Sequence, residues 1–96
     1  MRYSFEWDPR KAAANTVKHG VSFEQAAMVF KDPKQLSLYD MEHSEEEERW
    51  FTLGLGSTGA LLVVHHTFEQ SGADTAIIRV ISARKATKRE QRQYTE

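Results

Sequence analysis

The chain has 96 residues, room for one small domain and not for two. Its 13 Lys+Arg and 14 Asp+Glu cancel to a net charge of −1, which argues against a uniformly basic nucleic-acid binder and against a polyacidic chaperone. With 40% hydrophobic and 28% charged residues the composition is globular, and with no cysteine there is neither a disulfide staple nor a thiolate nucleophile or ligand.

Arg2–Glu6 reads as a first strand, with Tyr3 and Phe5 alternating with polar residues. Asp8-Pro9 opens a helix. Asp8 can cap free N–H groups, and Pro9 suits the first helical position. That helix runs to His19 and stops at Gly20, which takes the left-handed conformation without strain. Ser22-Phe23-Glu24-Gln25 fits a capping box for a second helix, which Asp32-Pro33 ends. Leu36–Asp40 is a short strand, Met41–Glu48 an acidic loop, Arg49–Leu55 a strand and Gly56–Gly59 a turn. Ala60–Thr67 and Ala76–Ser82 are apolar on both faces and read as central strands joined by the loop Gln70–Thr75. Ala83–Tyr94 reads as a terminal helix. The order β-α-α-β-β-β-β-α, with short connections among the last three long strands, predicts an α+β domain over 1–96. Two N-terminal helices and a C-terminal helix pack on a small antiparallel sheet. No apolar run approaches the ~20 residues of a membrane span. The N-terminus has no apolar signal core, so a cytoplasmic protein is expected.

Several cations stand in patterns that suit a polyanion. Lys11, Asn15, Lys18 and His19 fall within an arc of roughly 100° on the first helix. They form either a solvated face or a strip for phosphate contacts. Arg84, Lys85, Lys88, Arg89 and Arg92 share an arc of roughly 140° on the expected terminal helix. Five cations on one face are either solvated or an electrostatic footprint for nucleic acid. Glu90, on the opposite side, is exposed or paired with an arginine beneath the helix.

Arg79 interrupts an apolar strand. It is either a structural ion pair, with Glu90 or Glu6, or an arginine aimed into a concave site. Arg49 follows four glutamates, so a local pair is equally consistent. His65 and His66 are neighbours on a strand and point to opposite faces, so they cannot jointly chelate one metal. One of them is an acid/base candidate near Arg79, or both are structural. With no cysteine and no spaced His/Asp set, no metal site and no cofactor are expected. There is no Ser/His/Asp set either. Chemistry with Lys, Arg, His, Tyr and Glu suits metal-free phosphodiester cleavage. Cations stabilise the charged transition state, and a base takes the proton of an RNA 2′-hydroxyl.

Several motifs combine into a pattern: Phe5-Glu6-Trp7-Asp8, Lys11…Asn15…Lys18-His19-Gly20-Val21-Ser22-Phe23, Phe30-Lys31-Asp32-Pro33, Glu48-Arg49, the Gly54/Gly56 region, Arg79-Val80-Ile81-Ser82-Ala83-Arg84-Lys85-Ala86, and Glu90 to Tyr94. Together they resemble the BrnT family of type II toxin–antitoxin toxins over nearly the whole chain. The resemblance implies a RelE/ParE-like fold and a ribonuclease that inhibits translation and arrests growth. It implies a BrnA-like antitoxin with a ribbon-helix-helix region, a 2:2 complex, and repression of its own operon, so that operator DNA is bound only through the antitoxin. Carried to matching positions, the catalytic candidates are Lys18, His19, Arg49, Arg79 and Arg84. Arg79 and Arg84 would hold the scissile phosphate, Lys18 would add charge, and His19 or His66 would move a proton. Lys11, His66, Lys85, Lys88, Arg89 and Arg92 would contact RNA. Trp7, Asp8, Gly20 and Asp32-Pro33 read as cap and turn residues.

Two other readings stand beside the ribonuclease. One is a non-catalytic module that binds an antitoxin and serves as co-repressor. The other inhibits a different target, such as gyrase, by binding. The net charge of −1 is also unevenly spread. Asp40–Glu48 holds six acids and no Lys or Arg, and the remaining residues, with 13 bases against 8 acids, net +5.

Overall fold

A computed structural model describes residues 1–96. The chain enters the fold through β1 (Arg2–Glu6), which half-buries Tyr3 and Phe5. The first helix, α1 (Pro9–His19), begins and ends as its sequence dictates. The Asp8 carboxylate accepts the Arg10 N–H at 2.8 Å, and Pro9 takes the first turn. At the other end Gly20 lies at φ 68° and donates its N–H to the Thr16 carbonyl. Ser22 and Gln25 form the expected capping box of α2 (Phe23–Ala27). Beyond Ala27 the expected helix tightens into a 3-10 turn, Met28–Lys31, and Asp32 is already extended ahead of Pro33. The turn presses Val29 and Phe30 against the sheet. The approach is so close that a Cβ on Gly54 would lie 2.9 Å from Val29 Cγ1.

The remaining strands are β2 (Leu36–Tyr39), β3 (Arg49–Leu55), β4 (Leu61–Thr67), the two-residue β5 (Glu69–Gln70) and β6 (Thr75–Lys85). The sheet order is β1-β6-β4-β3-β2, with β5 also paired to β6. The strands β2, β3, β4 and β6 are antiparallel neighbours, as their short connections require. The edge strand β1 lies parallel to β6, which makes the sheet mixed. Opposite His65 and His66 the register of β6 slips: His65 faces Ser82 and His66 faces Val80, so Ile81 is an extra, bulged residue.

Alternation across the strands makes two unlike faces. On one, Leu62, Val64, Ile78, Val80 and Ala83 meet Val21, Phe23, Ala26, Val29 and Phe30 in the main core. On the other, α3 (Lys88–Thr95) covers only part of the sheet, where Tyr94 and Ala86 pack with Leu53 and Val63. The N-terminal helices and the C-terminal helix therefore lie on opposite faces.

The helix expected over Ala83–Tyr94 begins five residues later. Ala83–Lys85 stay in β6 because they continue the ladder with Leu62–Val64, and Ala86 donates its N–H to the Leu61 carbonyl at 2.9 Å. Thr87 then caps α3, with Glu90 returning the bond as a capping box. The outer edge of β6 beyond β1 is closed by Asn15 of α1. Its amide accepts the Ala83 N–H at 3.1 Å and donates to the Ala83 carbonyl at 2.8 Å. Buried Asp32 ties three elements: it accepts from Lys34 N and Leu55 N, each at 2.9 Å, and from the Tyr94 hydroxyl.

Candidate active site

On the sheet face left partly open by α3, strands β3, β4 and β6 bring Arg49, His65, Arg79 and Arg84 together with Phe51 and Val63. Arg79 donates to the Glu47 carboxylate of the acidic loop, and Arg49 reaches the same oxygen at 3.3 Å. Arg79 therefore pairs with Glu47, and not with Glu90 or Glu6. The Arg79 guanidinium, and Arg49 after it, hold the Glu47 carboxyl below its ordinary value. The Arg49 Nε–H is buried and has no protein partner. Two arginines from different strands thus converge on one anionic group, with a donor still free.

Arg84 makes a two-point pair with Glu90, at 2.8 and 2.9 Å. The arginine, helped by the Thr87 cap, depresses the Glu90 carboxyl to about 2. This is the paired alternative foreseen for Glu90. A cavity of about 510 Å³ opens beside the pair, lined by Leu36, Leu38, Phe51, Leu53, Val63 and Arg84 among others.

The two histidines do point to opposite faces. His65 lies on the arginine face, its ring edge-on to Phe51 with centroids 4.2 Å apart. Burial first, and then the charge of Arg84, push its imidazole below the ordinary value. It is therefore neutral at pH 7 and able to accept a proton. His66 is buried on the main-core side, against Phe30 at 4.7 Å. Its Nδ1 donates to the Thr67 carbonyl at 2.9 Å, so its Nε2, 2.6 Å from Thr52 Oγ1, is the acceptor of the Thr52 hydroxyl. Burial lowers this imidazole to about 4. Both nitrogens are occupied, which leaves no free edge for RNA and no route to Arg79.

The cations expected on one face of a terminal helix are divided. Arg84 and Lys85 belong to β6, and exposed Lys88, Arg89 and Arg92 belong to α3. The missed signal was Thr87-x-x-Glu90, a capping box that dates the helix start. On α1, Lys11 and Lys18 are exposed and His19 is half-buried, while Asn15 is turned inward to Ala83. The strip is thus three residues, on a helix packed against the main-core side. No hydrogen bond or ion pair joins Lys18 or His19 to the arginine face. No group of three or more His, Cys, Asp or Glu side chains is placed to hold a metal ion.

Residues 7–90 match the sequence profile of the ribonuclease toxin, BrnT, of type II toxin–antitoxin systems. The chain belongs to the BrnT family. The fold agrees: the 1.1 Å crystal structure of the Brucella abortus ribonuclease toxin BrnT matches with a TM-score of 0.58 at 19% identity, covering 92% of this chain and 100% of that one. No curated protein sequence matches the chain. A BrnT-family toxin of this kind is a ribonuclease and has an antitoxin partner. No helix of this BrnT-family chain is long and apolar enough to cross a membrane.

Proposed function

We propose that the arginine face cleaves RNA without a metal ion. The observation that carries this reading is the convergence of Arg49 and Arg79 on the single carboxylate of Glu47. A site that holds a carboxylate between two guanidiniums suits a phosphate, whose oxygens accept from the same forks. Arg79 and Arg49 grip the scissile phosphate once Glu47 swings away, and the free Arg49 Nε–H supplies a further donor. Arg84, released from or shared with Glu90, adds charge as the transition state develops. His65 takes the 2′-hydroxyl proton, in place of the His19 or His66 role inferred from sequence. Lys88, Arg89 and Arg92 on α3, with Lys85, add cations for flanking phosphates, and Lys18, His19 and Lys11 on α1 offer a separate basic strip on the other side of the sheet.

The partner in this reading is a BrnA-like ribbon-helix-helix antitoxin. It covers the basic surface, forms a 2:2 complex in the cytoplasm and carries the toxin to operator DNA, where the pair represses its own operon. One observation favours the co-repressor alternative: Arg49, Arg79 and Arg84 all already hold carboxylates of this chain, as they would hold those of an antitoxin. RNA cleavage by purified protein in EDTA decides between them. Arg79→Ala that stays folded and loses cleavage supports the ribonuclease. Wild-type protein that is folded and leaves RNA intact supports the co-repressor.

A further inference from the structure

On the main-core side, past the end of the helical layer, a second cavity of about 230 Å³ opens between Tyr3, Phe30, Trp50 and Phe68. Gln35, Ser37 and His66 also line it. The volume falls below the ~300–1,000 Å³ of sites for drug-sized molecules, and the aromatic walls favour one flat ring system. Trp50 is half-buried and Phe68 is 38% exposed, so one side is open to solvent.

The hydrogen bonds around this cavity fix its polarity. Because His66 Nδ1 donates to the Thr67 carbonyl, its Nε2 must accept from Thr52. Thr52 then accepts from Ser37, 2.8 Å away, so Ser37 spends its proton inward and offers only lone pairs. Gln35 is oriented by two carbonyls, since its Nε2 donates to Phe30 O and Asp32 O at 3.0 and 3.1 Å. Its Oε1 has no protein partner. From Gln35 and Ser37 the cavity therefore presents two acceptors, two residues apart.

The cavity is also close to the arginine face. Arg49 and Trp50 are consecutive in β3, on opposite faces at the same end of the sheet, and Phe68 follows Thr67, the strand partner of Arg49. A single strand whose phosphate is held by Arg49 has only the end of the sheet to round. We infer that this aromatic cavity binds one unpaired nucleobase of an RNA strand, and prefers bases carrying an exocyclic amine. An amine has two protons for the two acceptors. Uracil offers one N–H flanked by carbonyls, which the second acceptor repels. The inference rests on the reading that RNA is the substrate.

The test is titration of the purified chain with adenosine, cytidine and uridine 5′-monophosphates and with ribose 5-phosphate, followed by NMR. The adenosine and cytidine nucleotides should move the Trp50 indole N–H and the Gln35 side-chain amide, binding about fivefold more tightly than the uridine nucleotide, as one neutral hydrogen bond allows. Ribose 5-phosphate should leave both signals in place. Trp50→Leu should abolish the shift of the Gln35 side-chain amide, and Phe68→Ala, a change at an exposed side chain, should weaken it in a protein that keeps its fold. Shifts confined to the Arg49 and Arg79 face, or equal binding of all bases, overturn the inference. So does a Trp50 signal that moves only when antitoxin is added. A chain that binds adenosine monophosphate at Trp50 but never cleaves RNA supports the cavity and overturns the ribonuclease reading instead.

Discussion

The side chain of Asn15 satisfies both backbone hydrogen-bonding groups of Ala83, which lies 68 residues further along the chain. One amide does there what a neighbouring strand would do, at the point where β1 has ended and β6 continues. The same amide nitrogen donates to the Val21 carbonyl at 2.9 Å, which pins α1 to the chain that follows it.

Asn15→Ala leaves the Ala83 N–H and carbonyl buried without partners. The expected loss is about 2–4 kcal/mol of folding stability, a fall in melting temperature of roughly 10 °C or more. Asn15→Asp should be nearly as harmful, because a carboxylate cannot donate to the two carbonyls. Thermal unfolding followed by circular dichroism checks both. An Asn15→Ala protein with unchanged melting temperature would show that the edge of β6 closes by other means.

Glu47 competes with any anion for Arg49 and Arg79. Glu47→Gln should tighten binding of short single-stranded RNA several-fold at low salt, while Arg79→Ala should weaken it and abolish cleavage. Fluorescence anisotropy with a labelled oligonucleotide gives the affinities. If Glu47→Gln weakens binding, the carboxylate orients the arginines for RNA and does not screen them.

RNA binding should depend steeply on salt despite a net charge of −1. Three arginines that neutralise phosphates give a slope of log K against log salt of about −2 for a single strand. The basic residues of α3 and α1 would add to it. A flat salt dependence would place binding in apolar contacts.

His66 makes stability depend on pH. Its folded value near 4 lies below the ordinary 6.5, so the unfolded chain binds the proton more readily. The contribution is fully present above pH 6.5 and is lost as pH falls through the window from 6.5 to 4, and amounts to roughly 3 kcal/mol. Glu90, held near 2, adds a second loss below about pH 4.5, as does Asp32, whose carboxyl is lowered chiefly by the Tyr94 hydroxyl. Urea unfolding at pH 7.5, 5 and 3 separates the two, and His66→Gln should flatten only the upper window.

Local features were legible in the sequence wherever a short-range rule decides them. Asp8-Pro9 and Gly20 place the first helix at both ends, the Ser22/Gln25 box places the start of the second, and the bounds of β3 follow from its flanking acidic loop and glycine turn. Features that depend on distant partners were not. Nothing near Arg79 points to Glu47, 32 residues earlier, because the pair forms only when β3 and β6 flank the same strand. Asn15 looked like one more polar residue on a solvated face, since its role depends on where β1 stops. The parallel placement of β1 beside β6 likewise needs the sheet order, which no connecting loop reveals. Thr87 and Glu90 were readable as a cap but were outweighed by the run of alanine and basic residues before them.

The bulge at Ile81 has a consequence for the arginines. Arg79 and Arg84 are five residues apart, and an odd separation in a regular strand sends two side chains to opposite sides. The single extra residue resets the count, so that an odd spacing in sequence becomes an even one in space. Flattening the bulge with Ile81 retained would turn the Arg84 guanidinium toward the main-core side, where Phe23 and Ala26 are fully buried, whereas deleting Ile81 would leave Arg79 and Arg84 four residues apart on one face of a regular strand. The site is thus written in the chain with a half-step correction, and with this spacing its geometry depends as much on the bulge as on the charges it brings into line.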